Sequence, residues 1–167
     1  MKNRRHQIKI VLIVVFLNIA LDQWTKYLAQ NYLKGKYTYS YFYDTFKWIY
    51  AENAGAFLSW GTGFPSWLHF LLLKIVPIVM LVGMFIYILT SDKLTKFQLI
   101  GLSFIVGGGM GNLFDRIMYG KVVDFMNMGI GNLRTGIFNY ADMAILIGIG
   151  LLLLSKKKPE VSLEQKD

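Results

Sequence analysis

Four runs of about 20 mostly apolar residues dominate this chain, at about 8–28, 67–89, 97–116 and 138–154. Each is long enough to cross the hydrocarbon core of a bilayer as a helix. The composition agrees, with 54% hydrophobic and 17% charged residues over 167 positions, too apolar for a water-soluble domain of this length. The expected fold is therefore an all-α membrane protein, one four-transmembrane-helix bundle over 1–155. A charged cytoplasmic tail, 156–167, is expected to be disordered.

The net charge of +8 does not point to nucleic acid, because the basic residues sit at the ends of the apolar runs and form no basic domain. An even number of spans puts both termini on one side. That side carries ten basic residues, Lys2, Arg4, Arg5, Lys9, Lys93, Lys96, Lys156, Lys157, Lys158 and Lys166. The other carries six, Lys34, Lys36, Lys47, Arg116, Lys121 and Arg134. The excess places both termini in the cytoplasm. The first run leads into the polar Leu21-Asp22-Gln23-Trp24-Thr25-Lys26 with no small-x-small cleavage site before it, so it reads as an uncleaved span.

The segment after the first span alternates aromatics at Tyr37, Tyr39, Tyr41 and Tyr43, then continues in shifted register at Phe46, Trp48 and Tyr50. Period two predicts strands, and rings with polar tips favour the headgroup zone. A small extracytoplasmic β-sheet over about 35–62, lying on the outer membrane face, follows. The Gly-rich stretch 117–137 reads as a loop.

Ionisable groups inside spans are unfavourable there and usually face a bundle interior or a polar cavity. Asp22 and Lys26 stand at i and i+4, the spacing of a same-face ion pair. Gly107 and Gly111 make a G-x-x-x-G that permits close helix approach, followed by Asn112, Asp115 and Arg116. Asn139 and Asp142 share a face at the start of the fourth run. With Asn53 and Asp124 in the external segments, all these groups converge on the outer end of the bundle. Helix packing alone gives no reason for that polarity.

The residue inventory restricts the chemistry. There is no cysteine and there are two histidines, His6 and His69, on opposite sides of the membrane, so no paired-histidine metal site is available. Neither a metal nor another cofactor is expected. Carboxylates remain, and two of them close together in a water-poor site share a proton, one acting as base and the other as acid. Asp142, in the apolar run 140–154 with no basic residue within a turn, is the first candidate. Its partner is Asp124 or Asp115; Arg116 beside Asp115 argues for Asp124.

These motifs resemble the lipoprotein signal peptidase family, the bacterial type II signal peptidases. The resemblance rests on five blocks in order: Asp22-Gln23-Trp24-Thr25-Lys26, Asn53-Ala54-Gly55-Ala56-Phe57, the run from Gly107 to Arg116, Val122-Val123-Asp124-Phe125, and Phe138-Asn139-Tyr140-Ala141-Asp142. It implies an aspartic endopeptidase of the bacterial cytoplasmic (inner) membrane. Such an enzyme cleaves prolipoproteins before a diacylglyceryl-modified cysteine at the outer leaflet. By motif, Asp124 and Asp142 fall on the catalytic positions and Asn53, Asn112, Arg116 and Asn139 on substrate-binding ones. Asp22, Lys26, Asp115 and Gly108 fall on supporting positions. The chain departs from the family's usual pattern at Gly109, often alanine, and at Met143, often serine. The implied partners are prolipoproteins and membrane lipids, with the protein acting as a monomer. A non-catalytic membrane scaffold and a small channel or transporter are the alternatives; a channel predicts polar residues along the whole depth of the bundle.

Overall fold

Long apolar sequences give long helices, because only a helix satisfies its own backbone hydrogen bonds in hydrocarbon. α1 runs over Arg4–Tyr32. The next run is composite: α2, Ser66–Phe70, passes through a π-helical turn at Leu71–Ile75 into α3, Val76–Thr90. The π turn ends just ahead of Pro77, so the ring, which has no N–H and crowds the preceding turn, falls in the first turn of α3. α4 covers Lys96–Met118 and starts with a capping box in which Thr95 and Gln98 satisfy each other's backbone N–H. α5 covers Tyr140–Leu153. The structure, a computed structural model, describes residues 4–55 and 63–155; the tail 156–167 and Ala56 and Phe57 of the second motif block lie outside the described residues.

Three of these helical stretches are long and apolar enough to cross a membrane, while α5, at 14 residues, is a shorter apolar helix. Their outward surfaces are apolar: Phe16 on α1, Val79 on α3 and Leu146 on α5 are each about two-thirds exposed. Such a surface is stable only against lipid.

α4 is the central helix, packed against both α1 and α5. Its glycines set how near the others come. A Cβ at Gly107 would stand 2.7 Å from Asn18 Cβ, and one at Gly108 would stand 2.5 Å from the Ala141 carbonyl oxygen. The G-x-x-x-G spacing therefore faces α1, and the glycine between serves α5. At the end away from the sheet the bundle is filled by Val11, Val15, Ile88, Leu94, Leu99 and Val106. Among the described residues that layer holds one buried hydroxyl, Ser103, which donates within its own helix to Leu99 O, and no continuous polar path of the kind a channel requires.

The sheet is larger than the aromatic pattern predicts. β1, Tyr39–Tyr41, and β2, Phe46–Asn53, are joined by β3, Val122–Ile130, and β4, Leu133–Arg134, in the order β1-β2-β3-β4, all antiparallel. The stretch 117–137, read as a loop, thus supplies half of the strands. Residues Val122–Asn127 are buried on both faces, so the half-buried alternation that betrays a strand is missing there. Conversely, β1 is only three residues long. Phe42, Tyr43 and Asp44 turn the chain at φ of 53°, 54° and 69°, and Tyr37 and Tyr43 are exposed outside any strand. Ala29, Val123, Phe125 and Met126 form a second core between the sheet and the end of α1.

Candidate active site

Between the two cores lies a layer of polar side chains, and the fold brings every motif block to it. Asp124 arrives on β3. Opposite it, β2 carries one extra residue between Trp48 and Ala51, a bulge that shifts the register before Ala51 pairs with Asp124. Asp142 arrives on the first turn of α5. Phe138 bridges Met126 and closes the α5 entry onto β3, with Met126 N–H donating to Phe138 O at 2.9 Å and Phe138 N–H to Met126 O at 2.8 Å. Asn139 then caps α5. Its Oδ1 accepts from Asp142 N–H at 3.1 Å, and Asp142 Oδ2 accepts from Asn139 N–H at 3.0 Å. Asp142 is therefore both a capping residue and a site residue.

The same Asn139 reaches the other aspartate, its Nδ2 donating to Asp124 Oδ1 at 2.7 Å and to Asn112 Oδ1 at 3.1 Å. Asn112 Nδ2 donates to Asp142 Oδ1 at 2.9 Å. Asn53 Nδ2 donates to Asp124 Oδ2 at 3.1 Å, and Asn53 Oδ1 accepts from Gly55 N–H at 3.0 Å. Both oxygens of each aspartate are thus held by amide donors. Burial is the main reason that the Asp124 carboxyl is pushed up to about 6, and the nearby charge of Asp142 adds to it, against the opposing bonds from Asn53 and Asn139. Asp124 is 4% exposed. Asp142 is half-buried, so the burial expected of it from its apolar run is found instead at Asp124.

Beneath this pair lies a buried ion cluster. Lys26 Nζ stands 2.8 Å from Asp22 Oδ2 and 2.7 Å from Asp115 Oδ2, and donates to Asn112 Oδ1 at 2.9 Å. Asp22 Oδ1 accepts from Ala141 N–H at 3.1 Å, which joins α1 to the start of α5. Asp115 was expected to be held by the adjacent Arg116. It is held by Lys26 instead, because neighbouring helix residues diverge by about 100° and only Asp115 faces α1. Arg116 turns the other way: its Nη2 donates to Gly55 O at 3.1 Å and its Nη1 to Asn112 O at 3.4 Å. Asp142, Asp124 and Asp115 all act on that guanidinium electrostatically. Its buried Nε has no partner among the described residues.

All ten residues singled out from the sequence thus belong to one connected layer. Gly108 belongs to it by letting α5 approach, and Gly111 by leaving space for Asp22, whose Oδ2 a Cβ would meet. Three further residues were missed. Gln23 donates to Asp22 Oδ2 at 3.1 Å and to Asp115 Oδ1 at 2.9 Å. Asn18, buried in α1, accepts from Tyr140 Oη at 3.2 Å. A lone amide inside an apolar span was the available signal for Asn18. His69, set aside above for want of a second histidine, has Nε2 2.6 Å from Ala54 O, and a carbonyl can only accept, so Nε2 carries the proton. Beside Asp142, an apolar cleft of about 480 Å³ opens between Phe46, Met126, Phe138, Met143 and Leu146.

Among the described residues no cluster of histidine and acidic side chains is arranged to hold a metal ion. The arrangement suits proton traffic: two carboxylates in one water-poor pocket, one of them with its acidity lowered, and neutral amides setting their orientation.

Comparison with known proteins follows the same lines. The pattern of a family described as Signal peptidase (SPase) II matches residues 14–157. A protein named lipoprotein signal peptidase from Borrelia hermsii is 38% identical over 148 residues, covering 85% of this chain and 86% of that protein. One of the same name from Pelodictyon phaeoclathratiforme is 37% identical over 160 residues, covering 90% and 91%. A solved bacterial membrane enzyme, 24% identical, shares the fold with a TM-score of 0.74 over 90% of this chain and 93% of that one.

Proposed function

The chain belongs to the signal peptidase II family, a family of membrane hydrolases that remove signal peptides from prolipoproteins, and from that premise we propose how its residues divide the work. Asp124 and Asp142 are the catalytic pair. The observation that carries this is Asn139, which bonds both carboxylates at once. Asp124, buried and pushed up to about 6, holds the proton that the pair shares. Asp142 takes a proton from water, and the resulting hydroxide adds to the carbonyl carbon of the peptide bond before the diacylglyceryl-modified cysteine. Asp124 gives its proton to the carbonyl oxygen. Collapse of the tetrahedral intermediate breaks the C–N bond: Asp142 gives its proton to the leaving amine while ionised Asp124 takes one from a hydroxyl of the intermediate, which leaves the product carboxyl group and returns the pair to its starting protonation state.

Arg116 and Asn112 position the substrate backbone, supported by the guanidinium's unused buried donor. Asn53 and Asn139 share in binding the substrate by holding Asp124 and shaping the pocket around it. Asp22, Lys26, Asp115 and Gly108 support the pair from below. The apolar cleft beside Asp142 receives the apolar side of the incoming signal segment, and its lining, almost wholly hydrocarbon, supports that reading.

The protein is a bacterial membrane protein. We place it in the cytoplasmic membrane as one four-span domain over 1–155, with α5 as the fourth span and both termini inside. The sheet then lies on the outer face and the aspartates at the outer leaflet. The basic residues of the termini and of the 91–96 link support this orientation. One chain supplies the whole polar layer, which supports a monomer. Neither metal nor organic cofactor enters the reaction.

The test is cleavage of a diacylglyceryl-modified prolipoprotein by the purified chain in detergent, beside Asp124→Asn and Asp142→Asn and with a chelator present. Cleavage before the lipidated cysteine that survives chelation and disappears in both variants is the expected result. A folded variant that retains full activity would remove its aspartate from the mechanism.

A further inference from the structure

A second cavity lies away from the aspartates, where the last turns of α1 meet the sheet. Its volume is about 390 Å³, within the range of small-molecule sites. Leu28, Ala29 and Leu33 form one wall and Trp48 and Phe125 the other. Successive strand residues face opposite sides, so Phe125 looks into this groove while Asp124 looks into the catalytic layer. The groove and the reacting centre are therefore back to back across β3.

The rim differs from the walls. Tyr39 and Tyr41 stand there about half exposed, together with Lys36. The other lysines on this part of the molecule have carboxylates: Lys34 and Lys121 share Glu52, and Lys47 pairs with Asp44. Lys36 has no acidic partner among the described residues, and its ammonium lies 5.8 Å from the ring centre of Tyr32. The lower end of the groove is continuous with apolar surface. Thr25 and Leu28 lie on the same helix face as Leu21 and Leu17, which are 39% and 49% exposed.

We propose that this groove binds an anionic phospholipid of the surrounding bilayer, one acyl chain lying along α1 against Leu28 and Phe125 and the phosphate meeting Lys36 and the tyrosine hydroxyls. An unneutralised cation at the top of an apolar slot that runs down into lipid-facing surface matches that molecule in both polarity and charge. The diacylglyceryl group of a lipoprotein is a poorer match. It carries no phosphate and gives Lys36 nothing to pair with.

Native mass spectrometry of the full chain tests this, using phosphatidylglycerol and phosphatidylcholine with identical acyl chains. Wild type should retain the phosphatidylglycerol about fivefold better, the worth of one lysine at an anionic headgroup. Lys36→Ala should bring it down to the phosphatidylcholine level and Lys36→Arg should restore it. Lys121→Ala, which removes a lysine already paired with Glu52, should leave the preference intact. Leu28→Trp, which fills the slot, should reduce retention of both lipids. Asp124→Asn should bind as wild type does, so that loss of cleavage and loss of lipid are read separately. Equal retention of the two lipids by wild type, or a preference that survives Lys36→Ala, would overturn the proposal.

Discussion

Asn139 Nδ2 donates to Asp124 Oδ1 across 2.7 Å, so the residue that caps α5 also fixes a carboxylate on a neighbouring strand. Its other bonds hold Asp142 at the third helical position. Replacing it with alanine removes an N-cap, worth about 1 kcal/mol, and takes from Asp124 Oδ1 its amide donor, while the backbone bond to Asp142 Oδ2 remains. Asn139→Ala should therefore lower kcat by two orders of magnitude or more, on the scale of a misplaced reacting group, with a smaller change in KM. Steady-state kinetics on a lipidated prolipoprotein beside a thermal melt will separate the two effects. A variant that loses stability alone would reduce Asn139 to a cap.

The glycines of α4 give a graded prediction. A methyl at Gly108 points at the Ala141 carbonyl oxygen, part of a backbone that cannot move without shifting α5 and Asp142. A methyl at Gly109 points at Leu81 Cδ2, the mobile tip of a side chain. Gly109→Ala should be nearly neutral in both melting temperature and activity. Gly108→Ala should destabilise by about 1–3 kcal/mol, the usual range for overpacking, and lose most activity. Equal effects of the two substitutions would contradict the packing described.

Legibility in the sequence followed burial pattern. Hydropathy locates the helices because lipid imposes one simple condition on every outward face. The site residues stand out for the same reason, being polar where polarity is unfavourable. β3 was hidden, since Val122–Asn127 is covered on both sides and shows no alternation, and Gly129 next to β4 reads as a loop residue. In fact a Cβ at Gly129 would strike the backbone of Arg134, so that glycine is a strand-pairing requirement. The pairing of Asp115 was misread because adjacency in sequence is not adjacency on a helix. Lys26 lies 86 residues from Asn112 in sequence and 2.9 Å from it in space, so its contact with α4 needed the fold.

Lys26 determines more than charge balance. Its ammonium donates to Asn112 Oδ1, which fixes the amide orientation and turns Asn112 Nδ2 toward Asp142. Lys26→Met keeps the stem but leaves Asp22 and Asp115 facing each other without a cation. Breaking a buried pair in this way destabilises by about 3–5 kcal/mol. Combining it with Asp115→Asn should recover part of that stability. Activity should recover less than stability, because Asn112 Oδ1 still lacks the charged one of its two donors and keeps only Asn139 Nδ2. Thermal melts and cleavage rates of the single and double variants measure both, and full recovery of activity in the double variant would deny Lys26 any orienting role.

Asp124 makes opposite demands on stability and catalysis as pH changes. Its folded-state value, pushed up to about 6 from 3.8 chiefly by burial, means that the native protein binds a proton more tightly than the unfolded chain does. The stabilisation this provides is complete below about pH 4 and is lost as pH rises through 6. At pH 7.5 the ionised group therefore opposes folding by up to about 3 kcal/mol. Asp124→Asn removes that burden, but its NH₂ must confront one of the two amide donors that now bond the carboxylate, at a loss of about 1 kcal/mol. The variant should melt higher than wild type at pH 7.5, by an amount worth about 1–2 kcal/mol, and the advantage should vanish or reverse by pH 4. In the wild type, kcat/KM should fall on the alkaline side with a midpoint near 6, as the proton shared by the pair is lost. Melting curves of both proteins across that range, set beside the rate profile, test one cause through two readouts. A pH-independent difference in melting temperature would show that Asp124 is ionised throughout and cannot be the acid.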